Sequence, residues 1–143
     1  MSHQRTIFWV GERSGSDRAL AELLPFGIQL RFFGSVGEFV AAAHHLRREC
    51  VLVDMDSIDP GQAEALAELG SLWPIVALSG RRDFRTSFEA GRMGAIDLIA
   101  KPPSIPELIR ALAHASLHLL QGLAEEGCPT PSGTPTRKRR SLS

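Results

Sequence analysis

The chain predicts an α/β fold in which a parallel sheet carries helices on both faces, and three observations predict it. Five apolar runs of strand length alternate with five segments of helical periodicity. Several of the runs are continuously hydrophobic, as strands buried on both faces are, rather than alternating. Parallel strands need crossover connections, which are right-handed, and a strand–helix alternation supplies one after each strand. Polar residues, Glu12, Asp54, Ser79 and Lys101, stand where buried strands would end.

Thr6-Ile7-Phe8-Trp9-Val10 is too short for a helix and rich in aromatic and β-branched side chains, so it reads as a buried strand. Ser14-Gly15-Ser16-Asp17 offers helix-start chemistry, and Leu20, Leu23 and Leu24 recur at helical spacing until Pro25 and Gly27. Ile28 to Phe33 alternates, which suits an edge strand. Ser35-Val36-Gly37-Glu38 is a capping box opening a helix through Phe39, Ala42, Ala43 and Leu46. Cys50-Val51-Leu52-Val53 is the third strand, followed by the acidic turn Asp54 to Gly61 and a helix with Ala63, Leu66 and Leu69, closed at Gly70. Pro74 to Leu78 is the fourth strand, and Ser79-Gly80 turns into a helix carrying Phe84, Phe88 and Gly91. Helical spacing assigns Phe84, Phe88 and Met93 to core packing, with a partner surface as the alternative. Ala95 to Ala100 is the fifth strand. Pro102-Pro103 ends it, and Ser104-Ile105-Pro106-Glu107 is a second capping box, with proline in the first turn of a helix through Leu108, Leu112, Leu119 and Leu120.

The periodic pattern covers residues 5–121, one domain's worth of chain. From Gly122 it dissolves, and 122–143 reads as a flexible Pro/Ser/Thr-rich tail with a basic end. Sixteen basic and sixteen acidic residues give a net charge of zero. Setting aside Arg137, Lys138, Arg139 and Arg140 leaves twelve basic against sixteen acidic, a net of −4, so the zero conceals a mildly acidic domain and a basic tail. Such a tail would meet nucleic acid through phosphates alone, so no specific DNA binding is expected. No apolar stretch reaches the roughly 18 residues that span a bilayer, and the N-terminus lacks a signal-peptide layout; a cytoplasmic protein with no membrane contact is the expectation. Cys50 reads as a small core residue and Cys128 as an exposed one, a poor disulfide framework. His114 and His118 lie four apart with no evident third metal ligand, and His44-His45 carries no catalytic pattern.

In an open parallel sheet the carboxyl ends of the strands converge on one crevice, so Glu12, Asp54, Ser79 and Lys101 can line a single site. Carboxylate, hydroxyl and ammonium together suit phosphoryl chemistry. With these residues and intervals the chain resembles the receiver domain of two-component response regulators. The most specific stretch is Phe88 to Pro102, similar to the family's helix-4, strand-5 and Lys-Pro signature. Val51-Leu52-Val53-Asp54, similar to the phosphoacceptor strand, and Leu78-Ser79-Gly80 follow in weight. The resemblance implies a three-layer, flavodoxin-like doubly wound sheet of order 2-1-3-4-5 with five helices.

It further implies a signalling domain rather than an enzyme, in which Asp54 accepts a phosphoryl group from a sensor histidine kinase or phosphotransfer protein. Ser79 and Lys101 would contact the phosphoryl oxygens. Mg²⁺ would be held by Glu12, Asp54 and Asp56, the last through its backbone carbonyl. Lys101-Pro102 would be a cis peptide, since proline lowers the cis penalty to ~1 kcal/mol. A downstream protein partner would meet the helix 4–strand 5–helix 5 face, and a homodimer is compatible. Two positions depart from the family pattern. Gly11-Glu12 stands where two adjacent carboxylates are usual, and Leu98 where an aromatic relay residue is usual. These departures motivate an alternative, a receiver fold used as a phosphorylation-independent interaction module. Asp54-Met55-Asp56 also resembles aspartate-nucleophile phosphatases of the haloacid dehalogenase type, but no aspartate follows Lys101 and about fifty residues precede Asp54.

Overall fold

The structure is a computed structural model that describes residues 5–12, 17–69, 72–81 and 83–127, the side chains of 17, 60 and 123–127 apart. Five strands, β1 (Arg5–Val10), β2 (Ile28–Phe33), β3 (Cys50–Asp54), β4 (Ile75–Ser79) and β5 (Ala95–Ala100), alternate with helices α1 (Asp17–Ala21), α2 (Val36–Ala43), α3 (Pro60–Ala67), α4 (Phe84–Arg92) and α5 (Ile105–Gly127). All pairings are parallel and the sheet order is β2-β1-β3-β4-β5, as the family resemblance implies.

Both faces of the sheet are covered, which is why β1, β3 and β4 are apolar along their length. Phe8, Val10, Val51, Val53, Ile75 and Ala77 point to one face, against Phe39, Leu66, Ala90 and Met93 of and near α2, α3 and α4. Ile7, Trp9, Leu52, Val76, Leu78 and Ile99 point to the other, against Leu20, Leu23, Leu108 and Leu112. Phe8, Phe33, Phe39 and Trp73 interlock at centroid separations of 5.2 to 6.1 Å, mostly edge to face, the arrangement that ring quadrupoles favour.

Several boundaries differ from the sequence reading. α1 is only five residues, and Leu24–Phe26 forms a separate 3₁₀ turn because Pro25 lacks the amide that an α-helix would need there. The expected start signal at residues 14–16 lies outside the described residues. α2 ends at Ala43, before Leu46, and α3 at Ala67; Gly70 is outside the described residues. α5 runs to Gly127, six residues past the expected boundary at Gln121, while 128–143, with Cys128 and the basic run, is outside the described residues.

The Ser104–Glu107 box forms in both directions. At Ser35 only the serine half forms, since Glu38 Oε1 accepts from Gly34 N instead of from Ser35 N. Two caps went unread: Asp59 with Gln62, a reciprocal capping box, and Asp83, which accepts from Thr86 N at 2.8 Å. Their spacing, an aspartate three residues before Gln or Thr, was a usable signal.

Phe84 and Phe88 do not pack in the core. They are 86% and 55% exposed, whereas Thr86, Ala90 and Met93 form the inner face of α4 and the turn after it. Spacing had placed the two rings on one side of the helix correctly but on the wrong side relative to the sheet. His114 Nδ1 lies 3.5 Å from Asp97 Oδ2, so that histidine has a carboxylate neighbour. No helix of the described residues is long and apolar enough to cross a membrane.

Candidate functional site

The carboxyl ends of β3, β4 and β5 bring Asp54, Ser79 and Lys101 into one hydrogen-bonded cluster through Asp56, with Glu12 in the exposed turn after β1. Asp54 closes β3 and is 2% exposed. Burial of a carboxylate is costly without partners, and here Lys101 Nζ lies 2.9 Å from Oδ1 while the Asp56 amide donates to the same oxygen at 3.1 Å. Ser79 closes β4, also 2% exposed. Lys101 follows β5; its amide donates to the Ser79 carbonyl at 3.0 Å, which extends the β4–β5 pairing by one residue and holds the lysine beside Asp54. Lys101-Pro102 is cis.

The side chain of Asp56 is the member that sequence reasoning missed. It sits in the one-turn 3₁₀ helix Met55–Ser57 and reaches across to β4 and β5. Its Oδ1 accepts from Ser79 Oγ at 3.0 Å, and its Oδ2 accepts from Gly80 N at 2.8 Å and from Lys101 Nζ at 3.2 Å. Partial burial works against ionisation, but the Gly80 amide, Lys101 and Ser79 outweigh it and hold this carboxyl below the usual range. Lys101 is shifted the other way: desolvation opposes its charge, yet Asp54 and Asp56 raise it above the ordinary lysine value. Ser79 Oγ also accepts from Arg81 N at 3.0 Å, which ties the loop after β4 to the same network.

The strand-1 corner is built differently from a pair of carboxylates. Gly11 is buried with φ of +116°, a region that L side chains rarely adopt. Its missing side-chain space belongs to Ser57, whose Oγ donates to the Asp54 carbonyl at 3.1 Å and accepts from Glu12 N at 3.0 Å. A Cβ on Gly11 would overlap Ser57 Oγ and approach Asp54 Cβ to 3.0 Å. Trp9 Nε1 donates to both the Gly11 and Glu12 carbonyls at 3.2 Å, fixing the turn from below. Glu12 itself is exposed, anchored through its backbone rather than its carboxylate.

Among the described residues no three His, Cys, Asp or Glu side chains are grouped to hold a metal ion. The Asp56 carboxylate turns to Ser79, Gly80 and Lys101, which leaves its carbonyl as the donor expected of it, and the Glu12 side chain is exposed. The remaining donors, the Asp54 carboxylate and the Asp56 carbonyl, are hard oxygens of the class Mg²⁺ takes, with water completing its octahedron. Leu98, in the place of the usual aromatic, is half-buried and lines a groove of about 440 Å³ beside Ser79, together with Phe84 and Arg81.

No protein-family profile matches the chain. Relatives and solved structures do. The transcriptional regulatory protein FixJ of Rhizobium meliloti is 29% identical over 124 residues, covering 84% of this chain and 61% of FixJ. The tetrathionate response regulatory protein TtrR of Salmonella typhimurium is 31% identical over 114 residues, covering 77% of this chain and 55% of TtrR. The crystal structure of FixJ-N superposes with a TM-score of 0.67 at 26% identity, covering 82% of this chain and 98% of that one. Its relatives and structural neighbours are response-regulator receiver domains, and the chain shares their fold. Receiver domains of this kind are signalling domains of two-component systems, and they generally bind Mg²⁺ at the acidic pocket. This receiver chain spans about three fifths of FixJ and about half of TtrR, so the activity of those whole proteins does not transfer to it directly.

Proposed function

We propose that this receiver accepts a phosphoryl group on Asp54 and signals by protein–protein contact. The observation that carries it is the buried Asp54 carboxylate 2.9 Å from Lys101 Nζ, in one pocket with the Ser79 hydroxyl and the Gly80 amide. An Asp54 oxygen attacks the phosphorus of a phosphohistidine on a sensor kinase or phosphotransfer protein. The P–O bond forms as the P–N bond breaks, and the electron pair leaves with the imidazole nitrogen. Such transfer is chiefly positioning and charge neutralisation. Lys101 neutralises one phosphoryl oxygen, and Ser79 Oγ and Gly80 N–H donate to the others. Mg²⁺, held by the Asp54 carboxylate and the Asp56 carbonyl with Glu12 as the strand-1 donor, would neutralise further charge when bound. The downstream contact is assigned to the α4–β5–α5 face, where Phe84 and Phe88 stand exposed, and a homodimer could use the same face. Nothing in the relatives favours the phosphorylation-independent alternative over this reading.

Acetyl phosphate is the direct test. With millimolar-range Mg²⁺, about as the weak oxygen donor set requires, intact-mass spectrometry should show one added phosphoryl group, absent in Asp54→Asn. No adduct on the wild-type protein would refute the assignment.

A further inference from the structure

The phosphoryl-binding pocket of this receiver already contains a carboxylate. The three groups assigned above to phosphoryl oxygens, Ser79 Oγ, Gly80 N and Lys101 Nζ, are the three that hold the Asp56 side chain, at 3.0, 2.8 and 3.2 Å. Both Asp56 oxygens are engaged, one by the hydroxyl and the other by amide and ammonium together. A carboxylate is planar with two oxygens and a phosphoryl group has three, but the donors see the same thing, anionic oxygen at hydrogen-bond distance. Asp56 reaches them because its own backbone is pinned: its amide donates to Asp54 Oδ1, and the next residue's hydroxyl is fixed between Asp54 and Glu12.

We propose that Asp56 is a built-in ligand of the phosphoryl-binding pocket, and that it governs how readily Asp54 accepts a phosphodonor. The inference rests on the Asp54 reading. An incoming phosphoryl group must displace the Asp56 carboxylate from Ser79, Gly80 and Lys101 before those donors can serve it. Apparent affinity for any oxyanion then falls by the fraction of molecules in which the pocket stands open. The same occupancy means that the Gly80 amide and Ser79, whose hydroxyl also accepts from Arg81 N, are held around an anion before any phosphorylation occurs. Asp56 is not modified in the transfer: Asp54 attacks the phosphorus of acetyl phosphate, the P–O bond to the acyl group breaks, and acetate leaves with the electron pair.

The experiment compares wild type, Asp56→Ala and Asp54→Asn with acetyl phosphate and Mg²⁺, following the adduct by intact mass over time. Asp56 is on the surface in a single turn, so its truncation spares both cores. A pocket closed in about nine molecules of ten predicts a roughly tenfold faster labelling of Asp56→Ala, and a beryllofluoride midpoint lower by the same factor in ¹⁹F NMR. Equal rates and equal midpoints overturn the proposal and leave Asp54 acceptance intact. Slower labelling of Asp56→Ala overturns it as well, since Asp56 would then be assisting. A gain that disappears at about 0.5 M salt also overturns it, because long-range repulsion is screened over a few ångström there whereas direct occupancy is not. No adduct on wild type or Asp56→Ala refutes the Asp54 reading itself, and the proposal with it.

Discussion

Replacing Gly11 by alanine adds one methyl group to a corner that has no room for it. Two costs are involved. The backbone at Gly11 has φ of +116°, and holding a non-glycine residue in such a region costs on the order of 1–3 kcal/mol. The new Cβ would overlap Ser57 Oγ and stand 3.0 Å from Asp54 Cβ, and forcing extra atoms into a packed site costs about 1–3 kcal/mol more. Gly11→Ala should therefore lose roughly 2–6 kcal/mol in urea or thermal unfolding. A double-mutant cycle separates the terms. Ser57→Ala alone removes the hydroxyl that bridges Glu12 N and the Asp54 carbonyl, a loss of about 0.5–1.5 kcal/mol per bond. In Gly11→Ala/Ser57→Ala the overlap is relieved while the backbone strain stays, so the double variant should lose less than the sum by about 1 kcal/mol or more. If Gly11→Ala unfolds within about 0.5 kcal/mol of wild type, as ordinary surface changes do, or if the two losses simply add, the account of this corner is wrong.

Two further outcomes follow from the charged and titratable groups. Burial pushes the Cys50 thiol up to about 12, the neighbouring Glu49 adding to the effect, so at pH 8 the thiolate is on the order of one part in ten thousand; iodoacetamide should leave Cys50 unmodified in the folded protein and label it only on denaturation, as peptide mapping would show. Asp56 has a folded value below its unfolded one, so its contribution to stability is present above about pH 4 and lost as pH falls through the lower folded value. The difference in thermal midpoint between wild type and Asp56→Asn should thus be constant near neutrality and shrink towards pH 3. A difference unchanged down to about pH 3 would contradict the hydrogen-bonded, ionised state of Asp56.

The strands and their polar ends were legible because a parallel sheet covered on both faces demands continuous apolar runs, and because its crevice gathers whatever follows them. Asp54, Ser79 and Lys101 came out of that rule. Asp56 did not, since its partners are 23 to 45 residues away and nothing in Asp-Met-Asp says where the second carboxylate turns. Gly11 read as a missing carboxylate, whereas in three dimensions it is a positive-φ position whose space Ser57 has taken. Phe84 and Phe88 share a helix face by spacing, but which face meets the sheet depends on Thr86, Ala90 and Met93, small or flexible residues that lie close to the neighbouring strands. A glycine also misled at one helix end: Gly122 read as the boundary after Gln121, yet α5 passes through it to Gly127.

The sheet also partitions the two tryptophans. Trp73 belongs to the aromatic layer under α2 and α3, and Trp9 to the aliphatic layer under α1 and α5, its indole N–H tied to the turn that abuts Asp54. With no tyrosine in the chain, nearly all ultraviolet emission comes from these two rings. Each fluorophore therefore looks into a different half of the molecule, and removing one leaves a label-free optical view of the other: Trp9 for the turn after β1, Trp73 for the aromatic layer.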